Sequence, residues 1–238
     1  MLSREVDLNA DVGEGLDDEA LMPFLTSVSV ACGGHAGDRE SMRRTLAAAS
    51  RHQLRAGAHP SYPDRENFGR LEMAISDDEL EESLLEQVTA LSYVAADQGI
   101  ALTHVKAHGA LYNRAWRDPQ VAQVVARVVA GFNPSLAVFC PPGSAQQAAA
   151  DKANLRAVRE VFLDRGYSAE GGLISRGSQG DILYDPVALP EQISNLAPLE
   201  FDTMCVHGDN PAALELLRAA RELFVERGWR AAAYPTIR

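Results

Sequence analysis

The 238-residue sequence predicts an α/β fold, specifically a (β/α) barrel of about seven parallel strands in a single domain over residues 1–238. Strand-like and helix-like segments alternate along the whole chain, which is typical of a parallel sheet with crossover helices. Four apolar runs lead into a histidine and a fifth leads into acids. Polar residues at the same end of successive parallel strands form the active site of an α/β barrel. We therefore expect an enzyme with a closed or nearly closed barrel, and an open doubly wound sheet is the alternative.

The predicted strands are short apolar runs bounded by glycine and proline, as buried strands commonly are. In chain order they are Val6–Asp11, the run Val28–His35, Arg55–His59, Val105–His108, Leu136–Cys140, Ala157–Leu163 and Met204–His207.

Predicted helices begin at residues that cap helix N-termini. One helix is expected to begin at Asp38 and to reach His52. A second is expected to begin at the capping box Ser76–Glu79 and to end at Gly99. Two more are expected to begin at the pairs Asp118–Pro119 and Asn210–Pro211.

Composition excludes several classes of protein. The net charge of −11 argues against nucleic acid and anionic membranes as partners, because both need a basic face. The three cysteines lie in apolar runs, which fits a reducing compartment better than a disulfide framework. We see neither a signal peptide nor a membrane-spanning stretch, so we expect a cytoplasmic protein with a small-molecule substrate. The sequence leaves homo-oligomer formation open.

The first strand carries an acidic face. Asp7, Asn9 and Asp11 alternate along it, so they share one side, and Glu14 follows closely. The sequence leaves open whether that side faces the barrel interior or the helices. Several carboxylates this close repel each other unless a cation, a proton or hydrogen bonds compensate. We expect Asp11 to act as a general base or to orient a histidine.

A glycine-rich turn, Cys32–Asp38, leads into the predicted helix that begins at Asp38. Glycines such as Gly33 let the backbone approach a ligand closely, and a helix start favours an anion. The turn lacks the lysine of a P-loop, so this motif alone does not imply nucleotide binding. Cys32 beside His35 is an alternative nucleophile, although plain packing explains a buried cysteine better.

Lys106 and His108 lie two residues apart on one strand and share a face. Burying a lysine is costly unless it is paired, so near a strand end it is expected to stabilise an oxyanion or to hold a carboxylate. His207 precedes Asp209, which we expect to fix its tautomer. His52 and His104 are interpreted as structural or exposed.

Two long irregular stretches, residues 60–71 and 164–181, follow strand ends and are candidate lids. Arg70 and Arg176 lie in them and are expected to meet an anion. Glu160, Asp164 and Arg165 end another strand and extend the candidate site.

The sequence leaves open whether the protein binds a divalent metal ion. Histidines with an aspartate suit zinc or a similar ion, and Asp11, His59 and His108 are the expected ligands if one binds. No His-x-x-x-His pair lies on a predicted helix, so such a site requires ligands from different strands.

Six ordered motifs resemble the LamB/YcsF family, and the resemblance covers nearly the whole chain. They are residues 7–15, 31–38, 57–64, 68–70, 105–113 and 205–209. Ala10 and Ala107 depart from the cysteine and proline that the family commonly has. The resemblance implies a barrel similar to that of glycoside hydrolases and polysaccharide deacetylases. It also implies the A subunit of a 5-oxoprolinase, which acts with subunits B and C and consumes ATP.

The resemblance highlights Asp11, Glu14, His35, Asp38, His59, Lys106, His108, His207 and Asp209. We assign catalysis to Asp11, His35, His59, Lys106 and His108. We assign substrate binding to Asn9, Glu14, Gly33, Asp38, Arg70, His207 and Asp209. In this hypothesis Asp11 or a histidine activates water, Lys106 stabilises the oxyanion, and the glycine turn with an arginine holds the substrate carboxylate.

Two other functions stay open. One is a metal-dependent deacetylase or other amidohydrolase that acts alone. The other is a non-catalytic binding subunit whose partners perform the chemistry.

Overall fold

A computed structural model of the protein describes residues 4–168, 172–174 and 176–234. Its centre is a closed ring of seven parallel strands, in which each strand pairs with the next and the seventh pairs with the first. The predicted barrel is therefore confirmed and the open sheet is excluded. The strands are β1 (Glu5–Val12), β2 (Ser27–Ala31), β3 (Arg55–His59), β4 (His104–Lys106), β5 (Ala137–Cys140), β6 (Arg156–Phe162) and β7 (Thr203–Cys205).

Helices surround the ring and begin largely where the capping residues predict. Asp38 and Ser76 each cap a helix with a reciprocal capping box, and the Asp118 side chain accepts a hydrogen bond from Gln120 N. The last helix starts three residues after Asn210, because Asn210 caps a preceding turn. The helices are α1 (Arg39–Arg51), α2 (Asp77–Ala96), α3 (Gly109–Arg117), α4 (Pro119–Phe132), α5 (Ala145–Lys152), α6 (Leu189–Leu196) and α7 (Ala213–Glu226).

None of the helices in the described ranges combines the length and the hydrophobicity that crossing a bilayer requires.

An eighth strand, β8 (Arg230–Ala231), was not predicted. It pairs in parallel with the start of β1, outside the seven-strand ring. The chain then brings Tyr234 beneath the barrel, where its hydroxyl meets His104 Nδ1 at 3.0 Å and its ring packs on Phe139. This strand is only two residues long, so it has no periodic pattern that sequence analysis can detect.

Alternation along β1 separates an apolar face from a polar one. Val6, Leu8, Ala10 and Val12 join the main hydrophobic core between strands and helices. Asp7, Asn9 and Asp11 point the other way, because their side chains meet residues of β4, β6 and β7 across the ring. The acidic face thus lines the barrel interior, which answers the question that the sequence left open.

Candidate active site

A cavity of about 620 Å³ opens at the carboxyl end of the strands. This volume lies within the range of about 300–1,000 Å³ that is typical of small-molecule sites, and the carboxyl end is where α/β barrels place their active sites. Predicted site residues that line it are Asp11, Glu14, His59, Arg70, Lys106, His108, His207 and Asp209.

Lys106 is the central charge beneath this cavity. Its Nζ lies 2.9 Å from Asp11 Oδ1, 2.9 Å from Glu160 Oε1 and 3.1 Å from Cys205 Sγ. Burial lowers the pKa of Lys106, but the Asp11 and Glu160 carboxylates outweigh it and raise the pKa well above its usual value. The buried lysine therefore stays charged and is already held by two carboxylates.

Asp11 lies between Lys106 and His59. Its Oδ2 is 3.3 Å from His59 Nε2. Burial opposes ionisation, but the charges of His59 and Lys106 outweigh it and hold the pKa of Asp11 well below its usual value. A carboxylate with so low a pKa is a weak general base, so the geometry favours Asp11 as a residue that orients His59.

Two histidines meet at the floor of the cavity. His59 Nδ1 lies 2.8 Å from the backbone oxygen of Lys106, and His108 Nε2 lies 3.0 Å from that of Phe68. The facing atoms, His59 Nε2 and His108 Nδ1, are 3.0 Å apart. Burial, together with the charge of His59, lowers the pKa of His108 well below its usual value. His108 is therefore neutral near pH 7.

His35 lies behind this pair and is shielded from the cavity. Its ring stacks on that of His108, with centroids 3.6 Å apart, and its Nε2 lies 2.9 Å from Glu14 Oε1. Glu14 itself lines the cavity. Burial lowers the pKa of His35 despite this carboxylate, which favours a neutral imidazole that donates a hydrogen bond to Glu14.

The partner of His207 differs from the predicted Asp209. His207 Nδ1 lies 2.9 Å from Asp164 Oδ1, and its backbone N–H donates to Asp164 Oδ2 at 3.1 Å. Burial alone would raise the pKa of Asp164, but its interactions with His207 and Asn210 outweigh burial and lower the pKa. Asp164 rather than Asp209 reaches this imidazole, because Asp164 and His207 follow the ends of β6 and β7, which pair side by side.

Asp209 instead holds two arginines at the rim of the cavity. Its Oδ2 lies 2.7 Å from Arg70 and 3.5 Å from Arg176, and both arginines line the cavity. The two lid candidates thus bring their guanidinium groups together at the rim of the cavity.

Four predicted residues lie outside the cavity lining. Asn9 donates to Glu160 at 2.9 Å in the barrel interior, and Asp38 serves as the cap of α1. The carbonyl oxygen of Gly33 accepts a hydrogen bond from Arg65. His35 is the fourth and acts through Glu14. The glycine turn therefore packs against protein rather than against the cavity.

Cys32 is not placed as a nucleophile, because burial raises the pKa of its thiol to about 12. The three cysteines, Cys32, Cys140 and Cys205, are free and buried. His104 is buried in the lower part of the barrel, as a structural histidine is expected to be.

The first lid candidate packs onto the histidines. Phe68 contacts the rings of His35 and His108, and Gly69 O accepts the N–H of Ala110. Gly109 has φ +55°, and a Cβ there would lie 2.6 Å from Gly69 O, so this approach requires glycine.

The second lid candidate contributes Leu173, Ile174 and Arg176 to the cavity. Residues 169–171 and 175 of that stretch lie outside the described residues.

Sequence reasoning missed Tyr112, which is buried and lines the cavity. Burial raises the pKa of its hydroxyl well above its usual value, so the phenol stays neutral. Its position within the motif at residues 105–113 was the available signal.

Below the cavity, a second polar group contrasts with the first. We call it the lower layer, and it comprises the polar residues Asp7, His104, Thr203 and Tyr234, with the ring of Phe139 packed against His104 and Tyr234. Asp7 accepts hydrogen bonds from the hydroxyls of Thr26, Ser27 and Thr203 at 2.6–2.7 Å. We call Asp11, Glu14, His35, His59 and His108 the upper cluster.

Comparison with known proteins gives a consistent family assignment. The profile of the LamB/YcsF family matches residues 6–238. A curated relative, the A subunit of 5-oxoprolinase from Symbiobacterium thermophilum, is 41% identical over 92% of this chain and 91% of its own length.

Solved structures agree with the fold. The lactam utilization protein from Thermus thermophilus has a TM-score of 0.88 and 36% identity, and the match covers 97% of this chain and all of that one. A putative cellobiose-phosphate cleavage protein from Enterococcus faecalis has a TM-score of 0.62 at 13% identity, with 97% of each chain covered. The second likeness supports the barrel fold alone.

Proposed function

The chain belongs to the LamB/YcsF family, and from that membership and the cavity we propose that it is the A subunit of an ATP-dependent 5-oxoprolinase. The proposed reaction is hydrolysis of 5-oxo-L-proline to L-glutamate with cleavage of ATP to ADP and phosphate, in a complex with subunits B and C. The identity to the relative named as the A subunit of 5-oxoprolinase carries this proposal.

The substrate requires activation, because the nitrogen of a lactam donates electrons to the carbonyl and makes it a poor electrophile. Transfer of the γ-phosphoryl group of ATP to the lactam oxygen releases ADP and leaves a better electrophile. Water adds to that carbon, the ring C–N bond breaks, and the nitrogen keeps the electron pair and takes a proton. A second water converts the resulting acyl phosphate to glutamate and phosphate.

We assign the activation of water to the upper cluster. His59, His108 and Glu14 line the cavity. Lys106 and Asp11 fix their positions from below, because Asp11 contacts both Lys106 and His59. In this assignment Lys106 acts mainly by keeping Asp11 ionised.

His207 suits the proton transfer to the ring nitrogen. Asp164 holds Nδ1 of His207, which leaves Nε2 as the atom available to the cavity. A carboxylate that fixes the tautomer of a histidine in this way is the arrangement of many general acids and bases. The imidazole also stacks on Phe162, which limits its rotation.

The rim arginines suit the carboxylate of 5-oxoproline. Arg70 and Arg176 are partly exposed and share Asp209 as their anchor. Guanidinium groups recognise carboxylates through paired hydrogen bonds. Asp209 thus positions the arginines, and the substrate carboxylate lies between them.

Reconstitution with subunits B and C tests the proposal. The complex should release equal amounts of L-glutamate and phosphate from 5-oxoproline and ATP, and omission of ATP should stop both. His207→Gln should lower the rate strongly, whereas the matched variant His52→Gln, which lies at the end of α1, should retain it. A complex that shows no ATP-dependent glutamate release contradicts the proposed function.

A second candidate function is an amidohydrolase that acts alone with a bound metal. The gathering of Glu14, His35, His59 and His108 within 4.8 Å of one another favours it. Amide hydrolysis by the isolated chain without ATP would support this candidate. Full activity of the complex after replacement of His59 and His207 would instead support a non-catalytic binding subunit.

We also propose a cytoplasmic location. The support is the state of the three cysteines, which are free and buried, as is usual in a reducing compartment.

A further inference from the structure

Hydrogen bonds to backbone carbonyls determine the tautomers of His59 and His108. A carbonyl oxygen only accepts, so the atoms that face Lys106 O and Phe68 O must carry hydrogen, and these are His59 Nδ1 and His108 Nε2. In the neutral rings the opposite atoms, His59 Nε2 and His108 Nδ1, therefore present lone pairs. These two lone-pair atoms lie 3.0 Å apart.

A carboxylate oxygen completes a triangle of acceptors. Glu14 Oε1 lies 3.4 Å from His108 Nδ1 and 3.7 Å from His59 Nε2. Three electron-rich atoms at these separations repel one another inside the protein unless a positive group lies between them.

The dimensions of the triangle match a metal site. Zinc binds imidazole nitrogen at about 2.0–2.1 Å and carboxylate oxygen at about 2.0–2.2 Å, so neighbouring ligands of a tetrahedral ion lie about 3.3–3.5 Å apart. The three measured edges, 3.0, 3.4 and 3.7 Å, bracket that separation.

Each of the three residues is also held from behind. The carbonyls of Lys106 and Phe68 orient the two rings, and His35 Nε2 lies 2.9 Å from the Glu14 carboxylate. Metal-binding histidines almost always donate their other N–H to such a partner. His35 itself lies parallel to His108, with an interplanar angle of 3° and centroids 3.6 Å apart, so one ion cannot lie in both ring planes. Its role is to orient Glu14.

The other potential metal group in the described chain already contains a cation. Asp11, Cys205 and His207 gather near one another, but Lys106 Nζ lies 2.9 Å from Asp11 and 3.1 Å from Cys205. Asp11 is therefore neutralised by the lysine, and Glu14 takes the place that the sequence analysis gave to Asp11 in the ligand set.

We propose that Glu14, His59 and His108 bind one divalent transition-metal ion, of which zinc is the type, with a fourth position open to the cavity. Two imidazoles and one carboxylate are a donor set typical of catalytic zinc sites, and imidazole disfavours magnesium. The proposal concerns binding by this chain and is independent of the reaction and of subunits B and C.

A proton on His59 is the competing occupant. Burial lowers the pKa of His59, but the charges of Asp11 and Glu14 outweigh it and raise the pKa overall. A hydrogen on His59 Nε2 can be donated either to Asp11 or to His108. The Glu14 carboxylate then still faces His108 Nδ1 without a hydrogen between them. Zinc binding by the chain distinguishes a metal ion from a proton at this position.

Calorimetric titration of the chelator-treated full-length chain with zinc chloride tests the proposal, with magnesium chloride as the control ion. We expect saturable binding of one zinc per chain and none of magnesium. His59→Gln and His108→Gln should weaken binding by at least about 100-fold, since changes to outer partners alone cost about 10–100-fold. His52→Gln, the same substitution at the end of α1, should bind zinc as the unchanged chain does. Cobalt should give the visible absorption of a tetrahedral site.

Glu14→Gln provides a milder variant and keeps the side-chain volume, and circular dichroism establishes that each variant is folded. The proposal is overturned if the folded wild-type chain binds no zinc, or if the three cluster variants bind it as tightly as the wild type. The first result assigns the space to a proton on His59, and neither result bears on 5-oxoprolinase activity of the complex.

Discussion

The barrel interior contains two buried polar groups that obey different rules. In the lower layer the carboxylate and the imidazole are paired with hydroxyls: Asp7 accepts from three hydroxyls, and His104 meets Ser29 on one side and Tyr234 on the other. In the upper cluster, His59 Nε2, His108 Nδ1 and the Glu14 carboxylate face one another with no hydroxyl donor among them. Satisfied polar groups stabilise a fold, whereas groups that need an outside partner mark a binding site.

The two groups also differ in charge. Burial raises the pKa of Asp7 despite its three hydroxyl donors, and burial lowers the pKa of His104 to about 3. Above the lower layer, Lys106 and Asp11 remain charged because each is paired with the opposite charge of the other. The polar groups at the amino end of the barrel are thus paired within the protein, and the candidate active site lies at the carboxyl end, where α/β barrels place theirs.

The largest expected effect comes from the same substitution at both ends. His59→Gln should lower the kcat of the reconstituted complex by about 10²–10⁴, the usual contribution of a residue that handles protons in the transition state. His104→Gln should leave kcat close to wild type and lower the free energy of unfolding by about 1–3 kcal/mol. Steady-state glutamate release and urea unfolding measure the two quantities. Equal loss of activity in both variants would erase the distinction between the two groups.

Removal of the charge between the two groups should have the largest effect on stability. Lys106→Met leaves the Asp11 and Glu160 carboxylates buried without their partner, and we expect a loss of about 3–5 kcal/mol in the free energy of unfolding. The double variant Lys106→Met/Glu160→Gln should recover part of it, since it removes one unpaired charge. Urea denaturation of the single and double variants measures this coupling, and identical stabilities would show that Glu160 is not held by Lys106.

The dependence of stability on pH should distinguish the lower layer from the upper cluster further. The folded pKa of His104, about 3, lies below the unfolded value of 6.5, so between these pH values only the unfolded chain takes up the proton. The stability that His104 provides is complete above pH 6.5 and declines as the pH falls. Between pH 6.5 and 5 the wild type should lose about 1.5 kcal/mol more than His104→Gln. Thermal unfolding at a series of pH values measures the stability of both proteins. If the stabilities of the two proteins change in parallel with pH, His104 is not a buried neutral group.

The rim should be the least sensitive region. Arg70→Gln should raise the KM for 5-oxoproline by about tenfold, equivalent to about 1.4 kcal/mol, with kcat almost unchanged. Its ion pair with Asp209 is partly exposed, so the free energy of unfolding should change by no more than about 1 kcal/mol. Arg43→Gln, on the surface of α1, is the matched control for KM. A fall in kcat without a rise in KM would place Arg70 outside substrate binding.

Patterns between residues that are close in sequence predicted much of the fold and the position of the candidate site. Apolar runs, caps such as Asp38 and Ser76, and the polar ends of the strands predicted the barrel and its carboxyl-end site. These signals are local, because strand alternation and helix capping depend on spacings of two to four residues. The LamB/YcsF motifs depend on the order of residues alone, so the family could also be identified from the sequence.

Contacts between strands required the tertiary structure. His207 pairs with Asp164, 43 residues away, rather than with the nearby Asp209. The tautomers of His59 and His108 depend on carbonyls of Lys106 and Phe68, which are 47 and 40 residues distant. Such pairings follow from strand order and register, and these are set by packing of the whole barrel rather than by local spacing. The sequence by itself therefore identified many of the residues that line the cavity, although Asn9, Gly33, His35 and Asp38 lie outside it and Tyr112 was missed. Only the closed ring decided which of them face one another.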